Sequence, residues 1–321
     1  MDDPLSWLAQ DAESGPLAVR EGQFHRVVIG SDRVFCLPRT EAAAARLPQR
    51  AAMLRVLAGL GLGFRIPRPL FEGPGEAPRP LFEGPDEIPR PPFKNASETP
   101  RPLVDGAGEI PRPPFEGAGE APYLVLSRVP GAPLEDGVLD DPAVAAAVGE
   151  QYAELLAELA RAGADERART GLPWRPEDRW RRFEADVRAE LFGLMSDGGR
   201  RRAERELAAA ADLPHVATAV AHGDLGAENV LWEIDGGRPR LSGVIDWDEA
   251  AIGDPAEDLA AIAAGHGDAF LDRVLTLGGW ADDGTVARIA AIRGTFALQQ
   301  ALDAHRDGDA EELADGLTAY R

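Results

Sequence analysis

Apolar and polar positions alternate over Leu17–Arg20 and over Arg26–Ile29, on either side of Glu21-Gly22-Gln23-Phe24-His25, and a further apolar run covers Arg33–Leu37. Period-two alternation is the signature of half-buried strands, so three short strands are expected near the start. Between Pro48 and Leu60 the period lengthens, and Met53, Leu54, Leu57 and Leu60 fall on one face of a helix. Tyr123–Leu126 reads as a buried strand that is left through Arg128-Val129-Pro130-Gly131. From Asp140 onward the pattern turns helical, with Val144–Ala162 and Glu177–Leu194 the longest helices. The fold class is therefore α+β: a small β-rich N-terminal lobe over 1–126 and a larger, mainly helical C-terminal lobe over 132–321, joined through 127–131.

One stretch has a different texture. Residues 67–121 hold 14 of the 27 prolines, and prolines recur at 67, 78, 89, 100, 111 and 122. The five units PRPLFEGPGEA, PRPLFEGPDEI, PRPPFKNASET, PRPLVDGAGEI and PRPPFEGAGEA form an 11-residue tandem repeat with Arg68, Arg79, Arg90, Arg101 and Arg112 in phase. At least two prolines per unit forbid a helix, each costing about 3 kcal/mol in an interior. Each unit suits an extended piece followed by a turn, as polyproline II or as an edge strand plus loop. The flanks Arg65-Ile66-Pro67 and Ala121-Pro122-Tyr123 would join with a single unit. The favoured expectation is an expanded, mobile surface loop; an ordered stack of Phe71, Phe82, Phe93, Val104 and Phe115, or a proline-rich docking segment, is the alternative.

Charge narrows the class of partner. The 321 residues carry 55 acidic against 34 basic side chains, a net charge of −21. Nucleic acid and anionic membranes both require a basic face, so neither is expected, and a cationic small molecule is the natural partner. Met1-Asp2-Asp3 has no basic leader pattern, and no run reaches the roughly 20 apolar residues of a membrane span, so the expected location is the cytoplasm. Cys36 is the single cysteine, which rules out an internal disulfide framework, and the five histidines lack zinc-type spacing. Lys94, inside the repeat, is the single lysine, so a basic side chain needed elsewhere must be arginine.

The strongest chemical signal is Val220-Ala221-His222-Gly223-Asp224-Leu225-Gly226-Ala227-Glu228-Asn229-Val230-Leu231-Trp232: a histidine, an aspartate and, five residues on, an asparagine, on a short loop between apolar segments. Seventeen residues beyond Asn229, the apolar run Leu241–Ile245 ends in Asp246-Trp247-Asp248. Phosphoryl transfer asks for such a set: a carboxylate to orient and deprotonate an attacking hydroxyl, and amide and carboxylate oxygens to hold Mg²⁺ on nucleotide phosphates. Taken singly, each is equally an ordinary turn residue or strand-end acid; the three together favour the chemistry.

HGDLGAENVLW and GVIDWDEAAIGDPAEDLA resemble the aminoglycoside phosphotransferase family, antibiotic kinases with a two-lobed protein-kinase-like fold. The resemblance runs through both lobes and is broken only by the repeat. It implies that Asp224 is the catalytic base, with Asn229 and Asp246 the metal ligands. EGQFHRVVIG, YLVLSRVPGAPLED, LFGLMSDGGRRRAERELAA and the stretch from LTLGGWADDGT to RGTFALQQAL resemble the branch acting on basic, tuberactinomycin-type cyclic peptides such as viomycin and capreomycin. The expected function is transfer of the γ-phosphoryl group of ATP or GTP to a hydroxyl of such an antibiotic, conferring resistance. An aminoglycoside or macrolide O-phosphotransferase, or a non-catalytic kinase-like protein that sequesters a ligand, is the alternative.

The same resemblance distributes further roles. His222 joins Asp224 in the catalytic set, bracing the loop in preference to acting as the base. Gly22, Gln23, Phe24 and His25 form the loop over the nucleotide, cradling phosphate through backbone groups, while the backbones of Ser127 and Val129 pair with the adenine edge. Asp248 and Glu249, then Glu257 and Asp303, are candidate substrate acids. Asp307, Glu311 and Glu312 either lie further out in that set or form a solvated turn and helix face. Asp254 reads as a helix N-cap with Glu257 its capping-box partner, and Asp258 as a brace for the catalytic loop. The family's third-strand base and its helix glutamate are absent: Cys36 occupies the basic slot and Arg50 the acidic one, unless the alignment slips by a turn. Losing both together is coherent, since losing one would strand a partly buried charge. Arg50 or Arg39 is expected to reach the phosphates instead, with Cys36 a small buried hydrophobe.

Overall fold

The computed structural model describes residues 17–21, 25–73 and 122–321. Strands β1 (Ala18–Glu21), β2 (His25–Ile29), β3 (Arg33–Pro38), β4 (Pro69–Glu72) and β5 (Leu124–Ser127) form one antiparallel sheet in the order β1-β2-β3-β5-β4. Alternation sorts their side chains as period two requires. Phe35, Leu37, Val125 and Val28 cluster on one face with Tyr123, whereas Cys36, Leu124 and Leu126 join the main core with helix α1 (Glu41–Ala58).

Helix α1 begins seven residues before the expected Pro48. The Thr40 hydroxyl caps it by accepting from the Ala43 N–H at 3.1 Å, and Glu41 occupies the first turn. Pro48 is carried inside the helix, where its missing N–H removes one hydrogen bond. The good helix formers Ala42–Ala45 and a proper cap outweigh that loss. Leu47, Ala51 and Leu54 on its buried face share spacing with Arg50, which therefore leaves the helix toward the rest of the protein.

The remainder is helical with two small β elements. Helix α2 (Pro142–Ala162), capped by Asp141, runs through the main core with Val148, Tyr152, Leu155 and Leu159. Helices α3 (Glu166–Gly171), α4 (Arg179–Glu190) and α5 (Asp197–Ala211) follow, and α4 is shorter than its expected 177–194 range. A second core joins α4 and α5 to α9 (Phe296–Asp307) through Phe183, Val187, Leu207, Leu298 and Leu302. The pair β6 (Ala219–Ala221) and β9 (Ala251–Gly253), and the hairpin β7 (Val230–Asp235) and β8 (Arg238–Val244), belong to the main core through Val220, Ile252, Val230 and Val244. Helices α6 (Ala256–His266), α7 (Asp268–Gly278), α8 (Asp283–Gly294) and α10 (Ala310–Gly316) complete the chain. No helix among the described residues is long and apolar enough to cross a membrane.

The N-terminal sheet is fastened to the hairpin. Arg65 donates its N–H to the Ser242 carbonyl and accepts from the Val244 N–H, both at 3.0 Å. A Cβ at Gly243 would lie 2.3 Å from the Arg65 carbonyl oxygen, so only glycine permits this approach. The repeat lies mostly outside the described residues, but the start of its first unit meets the segment that follows the repeat. Its first unit contributes β4, the Gly73 N–H donates to the Tyr123 carbonyl at 2.8 Å, and Phe71 stacks on Tyr123.

Candidate active site

The catalytic loop leaves β6 at Ala221 and enters β7 at Val230. Its geometry comes from a buried carboxylate: Asp258, on the first turn of α6 and 1 % exposed, accepts from the N–H groups of His222 and Gly223, each at 2.9 Å. His222 is fully buried, donates from Nε2 to the Ile245 carbonyl at 2.9 Å and accepts at Nδ1 from the Asp224 N–H at 3.2 Å. Both ring nitrogens are thus committed to backbone, and burial lowers the imidazole to about 4. His222 holds the loop through these bonds, and with both ring nitrogens engaged it has none free to act as a base. Gly223 adopts φ +85°, and a Cβ there would strike Arg175.

Asn229 and Asp246 are brought together by the β7–β8 hairpin. Asp235 pairs with Arg238 around Gly236 and Gly237, both at positive φ, the two-residue turn that matches strand twist. At the open end Val230 pairs with Val244, and the Ile245 N–H donates to the Asn229 carbonyl at 2.9 Å. The seventeen-residue spacing is therefore the length of one hairpin. Asn229 Nδ2 donates to the Asp224 carbonyl at 2.9 Å and to its carboxylate at 3.1 Å, leaving Oδ1 for another partner. Asp246 is exposed and holds φ +63°, a left-handed conformation that aspartate tolerates better than most residues. Trp247, fully buried, anchors this corner by donating Nε1–H to the Val244 carbonyl and packing on His222.

Burial pushes the Asp224 carboxyl up to about 7, with Asp246, Glu228 and Glu249 adding to the shift and the Asn229 bond opposing it. Asn Oδ1 and an aspartate carboxylate are hard oxygen donors suited to Mg²⁺. Among the described residues no group of three or more His, Cys, Asp or Glu side chains converges as a metal site. A two-donor protein site fits an ion that keeps waters and takes the rest of its shell from phosphates.

The other expected residues divide. Asp248 and Glu249 are neighbours of Asp246, but both meet arginines: Arg50 Nε lies 2.8 Å from Asp248 Oδ1, and Arg175 Nη1 lies 3.3 Å from Glu249 Oε2. Glu257 is buried between Arg175 Nε at 3.1 Å and Arg179 Nη1 at 2.6 Å. These three acids differ from the expectation of free substrate ligands, because a substrate cation would have to displace a half-buried guanidinium. Asp254 accepts from the Ala256 N–H at 2.9 Å and from Arg288 Nε at 2.8 Å. Asp303 is buried in α9. Asp309 caps α10 beside Gly308 at φ +75°, so Asp307-Gly308-Asp309 is a turn. Arg39 lines a cleft of about 550 Å³ with Thr40, Asp307, Gly308, Asp309 and Ala310, a lining that contains none of Asp224, Asn229 or Asp246. Arg50, in contrast, reaches the site, its Nη2 lying 3.8 Å from Asp246 Oδ1. His25 opens β2 opposite Pro38, and Gly22, Gln23 and Phe24 lie outside the described residues. Ser127 is tied to Arg68 through its N–H and Oγ, whereas the Val129 N–H makes no backbone hydrogen bond among the described residues. Cys36 is buried.

Sequence reasoning missed Arg175 and Glu228. Arg175 is placed by 173–175 running beside β9, with its N–H donating to the Ile252 carbonyl at 2.9 Å. Nothing in its local sequence marks it. Glu228 was visible inside the catalytic motif, one residue before Asn229.

The profile of the phosphotransferase enzyme family matches residues 19–290. The viomycin phosphotransferase of Streptomyces vinaceus is 58 % identical over 319 residues, covering 99 % of this chain and 97 % of that protein. Among solved structures, the GDP complex of aminoglycoside 2'-phosphotransferase-IIIa superposes with a TM-score of 0.70 at 18 % identity, covering 99 % of this chain and 97 % of the other. Macrolide 2'-phosphotransferase type I gives 0.64 at 23 %, covering 99 % and 96 %. The structural likenesses establish the two-lobed fold, while the profile match and the close relative carry the assignment further: the chain belongs to the phosphotransferase enzyme family.

Proposed function

We propose that this chain transfers the γ-phosphoryl group of ATP or GTP to a hydroxyl of a basic, tuberactinomycin-type cyclic peptide such as viomycin or capreomycin, thereby conferring resistance. The observation that carries the reading is the 58 % identity with viomycin phosphotransferase, which spans both lobes. Asp224 would accept the hydroxyl proton as the oxygen bonds to the γ-phosphorus and the bond to the bridging oxygen breaks, releasing a nucleoside diphosphate. A carboxyl held near 7 by burial suits a base working at neutral pH, and Asn229 orients it through Nδ2. Asn229 and Asp246 would hold Mg²⁺, which supplies positive charge to the phosphate oxygens. The free Val129 N–H is available for a purine edge, and Gly22, Gln23, Phe24 and His25 retain the proposed phosphate-loop role. The net charge of −21 favours approach of a polycationic substrate.

Phosphate transfer assayed over viomycin, capreomycin, aminoglycosides and macrolides, each with ATP and with GTP, tests the proposal. Turnover on the cyclic peptides that disappears in Asp224→Ala is the expected result. Preferred turnover of an aminoglycoside or macrolide overturns the substrate assignment, and equal nucleotide consumption by wild type and Asp224→Ala on every compound overturns the catalytic one.

A further inference from the structure

Helix α1 sends one charged side chain across to the hairpin corner. Leu47, Ala51 and Leu54 bury its helix face, and the Arg50 guanidinium ends 2.8 Å from Asp248 Oδ1 through Nε and 3.8 Å from Asp246 Oδ1 through Nη2. Nε of Arg50 and Oδ1 of Asp248 are shielded from solvent, yet neither makes an aligned hydrogen bond. The pair is held by charge at short range, without the directional fork that would lock a guanidinium. Arg175, the other buried cation beside the catalytic loop, is fully engaged: Nε meets Glu257, and Nη1 and Nη2 meet the carboxylate and carbonyl of Glu249. The neighbouring position on β3 is the buried Cys36, which carries no cation. Of these two arginines, Arg50 is the one that can exchange partners without breaking a hydrogen-bonded network.

We infer that Arg50 is an exchangeable resident cation of the phosphate site, an inference that rests on the phosphotransferase reading above. Without nucleotide it neutralises Asp246. With a divalent ion held by Asn229 and Asp246, Arg50, still tethered by Asp248, would turn its Nη groups to phosphate oxygens. Metal and phosphate binding are then coupled through one side chain, and Asp248 serves as its anchor.

The coupling has a signature of opposite signs. Full-length wild type, Arg50→Met and Arg50→Lys are compared by thermal unfolding, by Mn²⁺ binding alone from the free-ion EPR signal, and by metal-free titration with ADP or GDP, whichever the wild type binds. Arg50→Met is expected to bind Mn²⁺ several-fold more tightly, because a competing cation has gone, and the diphosphate about tenfold more weakly, the range for one charge-assisted contact. Arg50→Lys, which keeps the charge and loses the fork, should show smaller shifts of the same signs. Affinities that both fall, or that both stay at the wild-type value, overturn the inference, since a packing role would give one or the other. If Arg50→Met does not unfold cooperatively, Arg50→Lys decides by the same criterion. A wild type that transfers phosphate to no compound while the opposed shifts persist would sink the proposed function and leave this inference standing.

Discussion

Replacing Asp258 by alanine should uncouple the catalytic loop from helix α6. Its carboxylate, 1 % exposed, accepts from the His222 and Gly223 N–H groups at 2.9 Å each; the His222 end is fully buried and the Gly223 end half-buried. Stranding the buried His222 N–H costs about 1–3 kcal/mol, and the half-buried Gly223 N–H adds a smaller amount, so the loss is roughly 2–4 kcal/mol. At about 2–4 °C per kcal/mol for a large domain, Tm should fall by roughly 5 °C or more. Activity should fall further than stability suggests. The Asp224 N–H rests on His222 Nδ1, so displacement of the loop is passed to the base, and a shift of about 1 Å can cost on the order of 10²-fold in rate. Asp258→Asn, which retains one acceptor oxygen and turns an NH₂ toward the second donor, should fall between wild type and alanine on both scales. Differential scanning calorimetry and steady-state kcat measure the two effects. An alanine variant with Tm within about 1 °C and kcat within about twofold of wild type would refute the reasoning, because two stranded donors cannot cost so little.

Three further outcomes follow from the same geometry. Glu228 raises the Asp224 carboxyl, so Glu228→Gln should move the acidic limb of kcat/KM to lower pH, read from a pH–rate profile; an upward move contradicts the charge argument. His222 is held neutral, with its imidazole lowered to about 4 from an unfolded value near 6.5, so the folded state binds fewer protons in that window and its stability contribution is lost as pH falls from 6.5 toward 4. His222→Gln should flatten that part of the difference in stability relative to wild type, measured by urea unfolding at each pH. Deleting residues 78–121 joins Ala77 to Pro122 in phase with the repeat and preserves the Gly73–Tyr123 contact, so Tm and kcat should stay near wild type, and loss of either assigns the repeat an ordered role.

The order of elements was largely legible because burial marks the sequence: alternation for β1 and β2, short continuous apolar runs for β3 and β5, and a period close to four for α2. The start of α1 was not, because Pro48 advertises a boundary that a cap at Thr40 and a run of alanines override. The proposed catalytic set was legible for a related reason. Asp224 and Asn229 share one loop, and a Gly-Gly turn returns Asp246 to its open end.

Sequence by itself determined the acidic balance, the repeat, the helical and strand periods, and the three residues whose spacing a single hairpin closes. The tertiary structure decided which acids are free. Asp248, Glu249 and Glu257 look alike along the chain, yet each is met by an arginine from a distant segment, Arg50 on α1 or Arg175 and Arg179 ahead of and on α4. It also separated Arg50, which reaches Asp246, from Arg39, which faces the α10 cap. The physical reason is reach. A long charged side chain chooses its partner among groups that packing brings within about 4 Å, and separation along the sequence carries no record of that choice.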